Sequence, residues 1–383
     1  MTRILINFSN FFTDPMRGGV QRVYDNLAQF LKGNPDYQMY AITQQPCDFD
    51  DKSSYQGVYV TQCNPLDLSA LAAEFQAMID EWKIDFLISP FSSPADINLY
   101  TMLHEVKIIH HWHNIPTALY SVTEWLPKNI RLTKFGRWIG LHKNLVHRRP
   151  HFRAINRDAA QVLLSEGFRS DIMRLYPFDN NKIFAIPNPF LIDKSFDLSH
   201  TPKEKAFLYV GRITQSQKRF SDILSIWSKL QDRLPDWRLD IVGDGPEKAE
   251  FEAKAKQMGL ERITFFGFKD PKDYYTKSRN LLMTSNFEGF GMVLVEAMQY
   301  GCVPFAYNSF AALPDIIDNG TNGFIIPPFK LDQYVETLYQ YAVSTDGYKK
   351  GIQQAAVAKS KTFDVAEVWK RWVALFNKLN SNK

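Results

Sequence analysis

Two carboxylates, Glu288 and Glu296, stand eight residues apart in the stretch Ser285-Asn286-Phe287-Glu288-Gly289-Phe290-Gly291-Met292-Val293-Leu294-Val295-Glu296-Ala297-Met298. An apolar run, Leu281-Leu282-Met283, precedes it and reads as a strand, and the apolar residues after Gly291 open a helix. Gly289 and Gly291 let the backbone approach a ligand closely. Free N–H groups at a helix start, together with its dipole, favour an anion, and phosphate is the natural guest. Eight residues of helix span about 12 Å. Two carboxylates serving one anomeric carbon stand about 5–10 Å apart. Glu288 and Glu296 therefore address different parts of one extended ligand. Without a ligand, the same pair reads as a first-turn carboxylate and a surface residue.

Cations follow a second strand. Tyr209-Val210-Gly211-Arg212 leaves it, and Lys218-Arg219-Phe220 comes shortly after. Cations at the C-terminal end of a strand sit where doubly wound sheets bind ligands. Arg212 and Lys218 could neutralise a diphosphate without a metal, one as a fork and one as a point charge. Gly243-Asp244-Gly245-Pro246 is a weaker signal for phosphate or a plain turn, and so is Arg17-Gly18-Gly19-Val20 at the start of the first helix. His111 and His113, two apart on a strand, face one side and form a candidate metal pair, but no third ligand stands at a recognisable spacing. His110 reads as structural. Asp48-Phe49-Asp50 has the spacing of a metal-binding Asp-x-Asp but lies in a polar loop.

A basic segment spans residues 128–157. It holds Lys128, Arg131, Lys134, Arg137, Lys143, Arg148, Arg149, Arg153 and Arg157 and no acid, with Trp125, Trp138, Ile139 and Leu141 in or beside it. Cations mixed with tryptophan and leucine suit an anionic lipid surface, with Trp138, Lys143, Arg148 and Arg149 as the candidate acceptor or membrane patch. A solvated helix face explains the same residues. No base-stacking motif accompanies them, so nucleic acid is not expected.

Short apolar strands alternating with helical patterns must position these residues. In the first half strands read at Arg3–Phe8, Gln38–Thr43, Val58–Thr61, Asp85–Ser89, Lys107–His111, Ala154–Asn156 and Lys182–Ile186. Helices read at Val20–Leu31, Leu68–Trp82 and Arg157–Glu166. The pattern restarts at Ala206–Val210, Arg238–Val242, Ile263–Phe266, Asn280–Thr284 and Val303–Ala306. Such alternation implies parallel sheets covered by helices, an α/β class with two doubly wound domains. Pro187, Pro189 and Pro202 mark the connection, since proline continues neither sheet nor helix. The expected division is residues 1–187 with the last helix, 364–383, and residues 188–363. The last helix carries an apolar stripe from Val365 through Trp369, Trp372 and Phe376 to Leu379.

Composition fits this scheme. At roughly 150 residues per domain, 383 residues suit two domains. The 45 basic and 41 acidic side chains are too balanced to imply a polyanionic partner from totals alone. The balance hides an asymmetry: residues 1–127 hold seven Lys and Arg against fourteen Asp and Glu, and the next thirty hold nine cations and no acid. The cysteines, Cys47, Cys63 and Cys302, are odd in number and form no CxxC pair, which fits a reducing cytoplasm better than a disulfide framework. The N-terminus has no signal-peptide pattern, and no run of apolar residues is long enough to span a bilayer. Peripheral attachment to the inner face of the cytoplasmic membrane stays open.

Taken in order, Gly19, Gly-Arg…Lys at 211–218, Gly-Asp-Gly-Pro at 243–246, Phe266-Gly267-Phe268, Glu288-x7-Glu296 and Asp318-Asn319-Gly320-Thr321-Asn322-Gly323-Phe324 resemble the retaining glycosyltransferases of family 4. The resemblance is dense from 206 to 327 and looser before 190. It implies the GT-B fold, two Rossmann-like domains facing a cleft. It also implies transfer of a sugar from a nucleotide diphosphate donor, a UDP- or GDP-sugar, to a saccharide or lipid-linked saccharide in bacterial surface polysaccharide or lipopolysaccharide synthesis. No other cofactor and no metal is implied. By resemblance, Arg212 and Lys218 hold the diphosphate, and Gly289, Phe290, Gly291 and Met292 cap it through backbone N–H groups. Glu296 takes the ribose hydroxyls, Phe268 lies beside the base, Glu288 meets the donor sugar, Gly19 admits the diphosphate and His113 lies near the transferred sugar. Two departures stand out. The Arg212–Lys218 interval is one residue longer than the commonest spacing, which brings Arg219 into contention. Asn308–Pro314 also replaces the family's glycine-rich Pro-Glu turn. A nucleotide-sugar epimerase of the same fold and a non-catalytic nucleotide-sugar binding module are the alternatives.

Overall fold

The computed structural model describes residues 1–8, 18–44, 54–90, 93–114 and 149–381. The chain divides into two compact units: Met1–Pro189 with Val365–Lys383, and Phe190–Asp364.

The first unit is built on seven strands: β1 (Thr2–Asn7), β2 (Tyr37–Thr43), β3 (Gly57–Val60), β4 (Phe86–Ser89), β5 (Lys107–Trp112), β6 (Ala160–Leu163) and β7 (Ile183–Ala185). They lie in the order β3-β2-β1-β4-β5-β6-β7, all parallel. Alternation along β1 shows why both faces are covered. Ile4 and Ile6 join Tyr24, Leu27, Trp372 and Phe376 in one core, while Leu5 joins Leu71, Phe75 and Ile79 in the other. The helix Val365–Ser381 buries Val365, Val368, Trp369, Trp372, Leu375 and Phe376, its apolar stripe, in the first of these cores.

The second unit has six strands: β8 (Glu204–Val210), β9 (Arg238–Val242), β10 (Ile263–Gly267), β11 (Ser278–Met283), β12 (Val303–Tyr307) and β13 (Phe324–Ile326). Their order is β10-β9-β8-β11-β12-β13, again all parallel. In each unit the winding reverses once, between β1 and β4 and between β8 and β11. Loops leaving the strands part at that reversal and open a crevice at the C-terminal edge, where such sheets bind ligands.

One stretch departs from the sequence pattern. Ala154–Asn156 is not a strand and Arg157–Glu166 is not a helix. Residues 149–157 are helical, and Ala160–Leu163 is β6. Helical spacing explains the first: Phe152 and Ile155 are buried, while Arg149, Arg153 and Arg157 recur every four residues on the exposed face. Gln161 disguised the strand. It is fully buried, and it is satisfied by accepting from Trp112 Nε1 at 3.0 Å and donating to the Ile155 carbonyl at 3.0 Å.

Candidate functional site

The loops after β8 and β11 leave neighbouring strands at the reversal and are stitched together. Asn286 donates its backbone N–H to the Gln217 carbonyl at 2.7 Å and its Nδ2 to the Ser216 carbonyl at 2.7 Å. Thr284 Oγ1 donates to the Lys218 carbonyl at 2.9 Å. This seam brings Lys218 to Glu288: Nζ lies 2.5 Å from Oε1. Ser285 Oγ donates to the same oxygen at 2.6 Å. Glu288 is 8% exposed. A carboxylate this buried is costly unless paired, and here a cation and a hydroxyl both hold Oε1. Oε2 remains for a further donor.

The helix Met292–Gln299 begins at the same place. Gly291 caps it in the left-handed region, φ 82°, and supplies no side-chain acceptor to the first turn. Leu294 N–H donates to the Gly291 carbonyl at 2.9 Å, and the N–H groups of Met292 and Val293, which have no partner among the described residues, are left for a ligand. A Cβ at Gly291 would come within 3.1 Å of both Leu294 and Phe310, so glycine suits the position in both backbone and space. Phe290 turns its ring inward against Phe190 and Phe363 and can serve a ligand only through its backbone. Ser309, in the segment that departs from the family pattern, braces this turn by donating to the Ser285 carbonyl at 2.6 Å.

Arg212 is exposed and has no side-chain partner among the described residues, and its carbonyl accepts from Tyr209 Oη at 2.7 Å. Arg219 follows Lys218 in the chain and is engaged on other partners. Its guanidinium pairs with Asp222 at 3.0 Å and lies over the Phe329 ring, 4.5 Å from the centroid. Gly243-Asp244-Gly245 is a close-approach device. The Gly211 N–H donates to the Val242 carbonyl and the Ile213 N–H to the Asp244 carbonyl, which extends β8–β9 pairing into the loops. A Cβ on Gly243 would fall 1.9 Å from the Gly211 carbonyl oxygen, and one on Gly245 would fall 2.3 Å from that of Ile213.

Glu296 lies within the helix, 8% exposed, and accepts from Tyr275 Oη at 3.0 Å. The two carboxylates thus have separate partners. Phe268, just beyond β10, is 66% exposed. In the other unit, Gly19 is exposed and opens the helix Gly19–Leu31, whose cap, Gly18, again offers no side-chain acceptor. His111 and His113 do face one side, with ring centroids 4.0 Å apart. Tyr24 Oη joins them, 2.8 Å from His111 Nδ1 and 3.3 Å from His113 Nε2. Burial holds both imidazoles neutral: His111 well below the usual histidine range, and His113 down to about 3. His110 pairs with Asp158 at 2.6 Å. No group of three or more His, Cys, Asp or Glu among the described residues could hold a metal ion. Arg149 is exposed, whereas Trp138, Lys143, Arg148 and the Asp48–Asp50 pair lie outside the described residues. No helix of the described residues is long and apolar enough to cross a membrane.

Sequence reasoning missed Ser285, Tyr24 and Tyr275. Each is buried behind a site residue, and none carries a spacing that separates it from ordinary core. The nearest signals were Ser285, three residues before Glu288, and Tyr24, five after Gly19.

The fold is GT-B, two parallel-sheet units of the Rossmann type. Residues 192–355 match the model of the family Glycosyl transferases group 1. The chain is 29% identical over 221 residues to the amylovoran biosynthesis glycosyltransferase AmsD of Erwinia amylovora, a match covering 56% of this chain and 61% of that protein. It is 29% identical over 247 residues to the lipopolysaccharide 1,6-galactosyltransferase of Salmonella typhimurium, covering 62% and 67%. The matches thus span about two thirds or less of these curated relatives. The fold is shared over the full length with Anabaena HepE, solved in complex with UDP-glucose (TM-score 0.75, 18% identity, 100% of both chains). It is also shared with the lipopolysaccharide outer core galactosyltransferase WaaB (TM-score 0.69, 20% identity, 98% and 99%).

Proposed function

We propose that this protein transfers a sugar from a nucleotide diphosphate donor to an acceptor hydroxyl, with retention of configuration, in the synthesis of a bacterial surface polysaccharide or lipopolysaccharide. One observation carries the reading: at the sheet reversal a half-buried Lys218 pairs with the buried Glu288, whose turn leads to a helix start where the Met292 and Val293 N–H groups are unclaimed among the described residues. A diphosphate there meets Lys218, Arg212 and the backbone of Gly289–Met292. These groups stabilise the charge that grows on the leaving phosphate. Glu288, held by Oε1, accepts from a hydroxyl of the donor sugar through Oε2. The bond from the anomeric carbon to the diphosphate oxygen breaks, the acceptor oxygen bonds to that carbon from the same face, and the departing phosphate takes the acceptor proton. Glu296 takes the ribose hydroxyls, and Phe268 lies beside the base. Gly19 and His113 are assigned to the diphosphate and the transferred sugar. The names of the relatives and the UDP-glucose held by HepE support a UDP-sugar donor and a saccharide acceptor.

The test uses purified enzyme, a panel of UDP- and GDP-sugars, and a lipopolysaccharide-core or undecaprenyl-linked saccharide panel. The anomer of the product is read by NMR. Transfer is expected to fall at least about 100-fold in Glu288→Ala and Lys218→Ala. Unchanged turnover in both variants sinks the assignment. Donor consumption without an acceptor favours the epimerase reading.

Attachment to the inner face of the membrane belongs to the same proposal. Arg149, Arg153 and Arg157 form an exposed row with no ion-pair partner among the described residues. Sedimentation with anionic and neutral liposomes, for the wild type and a triple Arg→Gln variant of this row, decides it. Equal binding in every arm removes the membrane from the reading.

A further inference from the structure

The imidazole pair of the first unit is wired to a side chain that neither the motif nor the family role involves. Trp372, on the helix Val365–Ser381, packs edge-on against His111, with centroids 5.2 Å apart and ring planes 77° apart. Trp372 and His111 are each 1% exposed. Trp372 Nε1 and His111 Nε2 both have no hydrogen-bond partner among the described residues. On its other side His111 meets Tyr24 Oη through Nδ1, and Tyr24 meets His113 through Nε2.

Proton counting resolves this chain. A neutral imidazole has one N–H and one lone pair, and a phenol has one proton to give. Tyr24 therefore donates to one histidine and accepts from the other. If it donates to His111 Nδ1, the His111 proton sits on Nε2. That N–H is then buried without an acceptor, on a ring packed against an indole whose own N–H also has none. If Tyr24 accepts from His111 Nδ1–H, His111 Nε2 is a lone pair on the ring that the indole donor adjoins, and the two unspent groups are complementary. Buried N–H groups without an acceptor are rarer in proteins than under-used acceptors, which selects the second arrangement.

We propose that Trp372, His111 and Tyr24 form a relay of positioning residues that fixes His113 with its Nε2 lone pair held by Tyr24 and its single proton on Nδ1. Burial of both rings, which keeps them uncharged, supports the count. His113 then presents a neutral N–H donor. Its basic nitrogen is occupied, so it does not take the acceptor's proton. Resting on the proposed function, this makes His113 a donor to an oxygen of the transferred sugar. It also makes the helix Val365–Ser381 part of the apparatus that orients the histidine.

The experiment is long-range 1H–15N correlation on the full-length, 15N-histidine-labelled protein at pH 7, assigned with His111→Asn and His113→Asn. The expected pattern is a protonated Nδ1 and a bare Nε2 on both His111 and His113. A protonated Nε2 on His113 in the wild type overturns the proposal. Tyr24→Phe is expected to convert His113 to a mixture of tautomers, with kcat lowered about fivefold to tenfold and donor KM within about twofold. Trp372→Phe, which keeps the bulk of the core, is expected to mix the tautomers of His111. A His113 pattern that stays single and unchanged in both variants also overturns the relay. The tautomers are read without substrate, so the expected pattern in a protein with no transferase activity sinks the proposed function and leaves the relay standing.

Discussion

Lys218 and Glu288 meet as an ion pair where one sheet ends, whereas His111 and His113 share an uncharged hydroxyl where the other does. Both ends are buried and both are rich in polar atoms. They differ in how burial is compensated. At the end of β8 and β11 opposite charges offset desolvation, and Ser285 adds a hydrogen bond to the same carboxylate. At the end of β5 burial strips the charge, and the two rings share neutral hydrogen bonds with Tyr24. A diphosphate needs cations, and a sugar needs oriented neutral donors and acceptors. The contrast therefore follows the division of labour proposed for the two units.

The contrast is sharpest against acid. Folding lowers the pKa of both histidines below the free value of about 6.5, so the unfolded chain binds more protons below that pH. Stability present at neutral pH is lost as pH falls from about 6.5, and the loss continues until His113 itself protonates at about 3. Between pH 7 and 5 His113 alone removes about 2 kcal/mol from the first unit, and His111, shifted in the same direction, adds to the loss. The only histidine of residues 190–364, His200, is exposed. Hydrogen exchange at pH 7 and 5 is expected to show β1, β4 and β5 losing protection while β8, β9 and β11 keep theirs. Parallel loss in both sheets breaks the comparison.

Removing the cation from the charged end comes next in size. Lys218→Met is expected to lower kcat/KM about 100-fold, close to 2.7 kcal/mol, in a transfer assay with a UDP-sugar. Part of that loss arises because Glu288 is left buried without its partner. The double variant Lys218→Met, Glu288→Gln should therefore lose less than the product of the two single effects. Multiplicative losses mean that the pair is not a unit.

How much of this was legible depended on where each residue earns its place. Glu288, Lys218 and Gly291 follow apolar strands at fixed spacing, so strand, turn and helix start could be read together. The helix Val365–Ser381 showed its stripe plainly, because a face buried at helical spacing leaves a period in the sequence. Ala160–Leu163 was misread because buried Gln161 looks like a helix's polar face until its partners, Trp112 and Ile155, are seen. Tyr24, Ser285 and Tyr275 stayed hidden for a related reason. Their hydroxyls meet partners through tertiary packing, and an aromatic or serine beside a strand is ordinary core until that packing is known. Gly243 was visible as a residue but not as a purpose, since the carbonyl that excludes a side chain there belongs to Gly211.

That purpose is testable in the charged unit without touching a charge. Gly243 has φ 147°, and an added Cβ would overlap the Gly211 carbonyl oxygen at 1.9 Å. Backbone on both sides leaves little room to yield. Gly243→Ala is expected to cost about 2 kcal/mol, lowering the melting temperature of this unit by about 4–8 °C in calorimetry. Because Gly211 leads into Arg212, donor affinity should weaken as well. A variant that melts like the wild type means that the loops after β8 and β9 shift apart easily, and the seam around Lys218 is then less rigid than its hydrogen bonds imply.

The smallest effect separates the two carboxylates within the charged unit. Glu288 is held by a cation, whereas Tyr275, buried at 2% exposure, donates a neutral hydrogen bond to Glu296 Oε2. Tyr275→Phe removes that donor and keeps the ring, so the cost is about 1 kcal/mol. If Glu296 binds the ribose, which is distant from the bond that breaks, its looser carboxylate should weaken ground state and transition state alike. Donor KM should then rise about fivefold with kcat unchanged, the signature of uniform binding. A fall in kcat at constant KM would place Glu296 at the reacting sugar instead. It would also collapse the separation inferred from an eight-residue spacing, which put the two carboxylates on different parts of one donor.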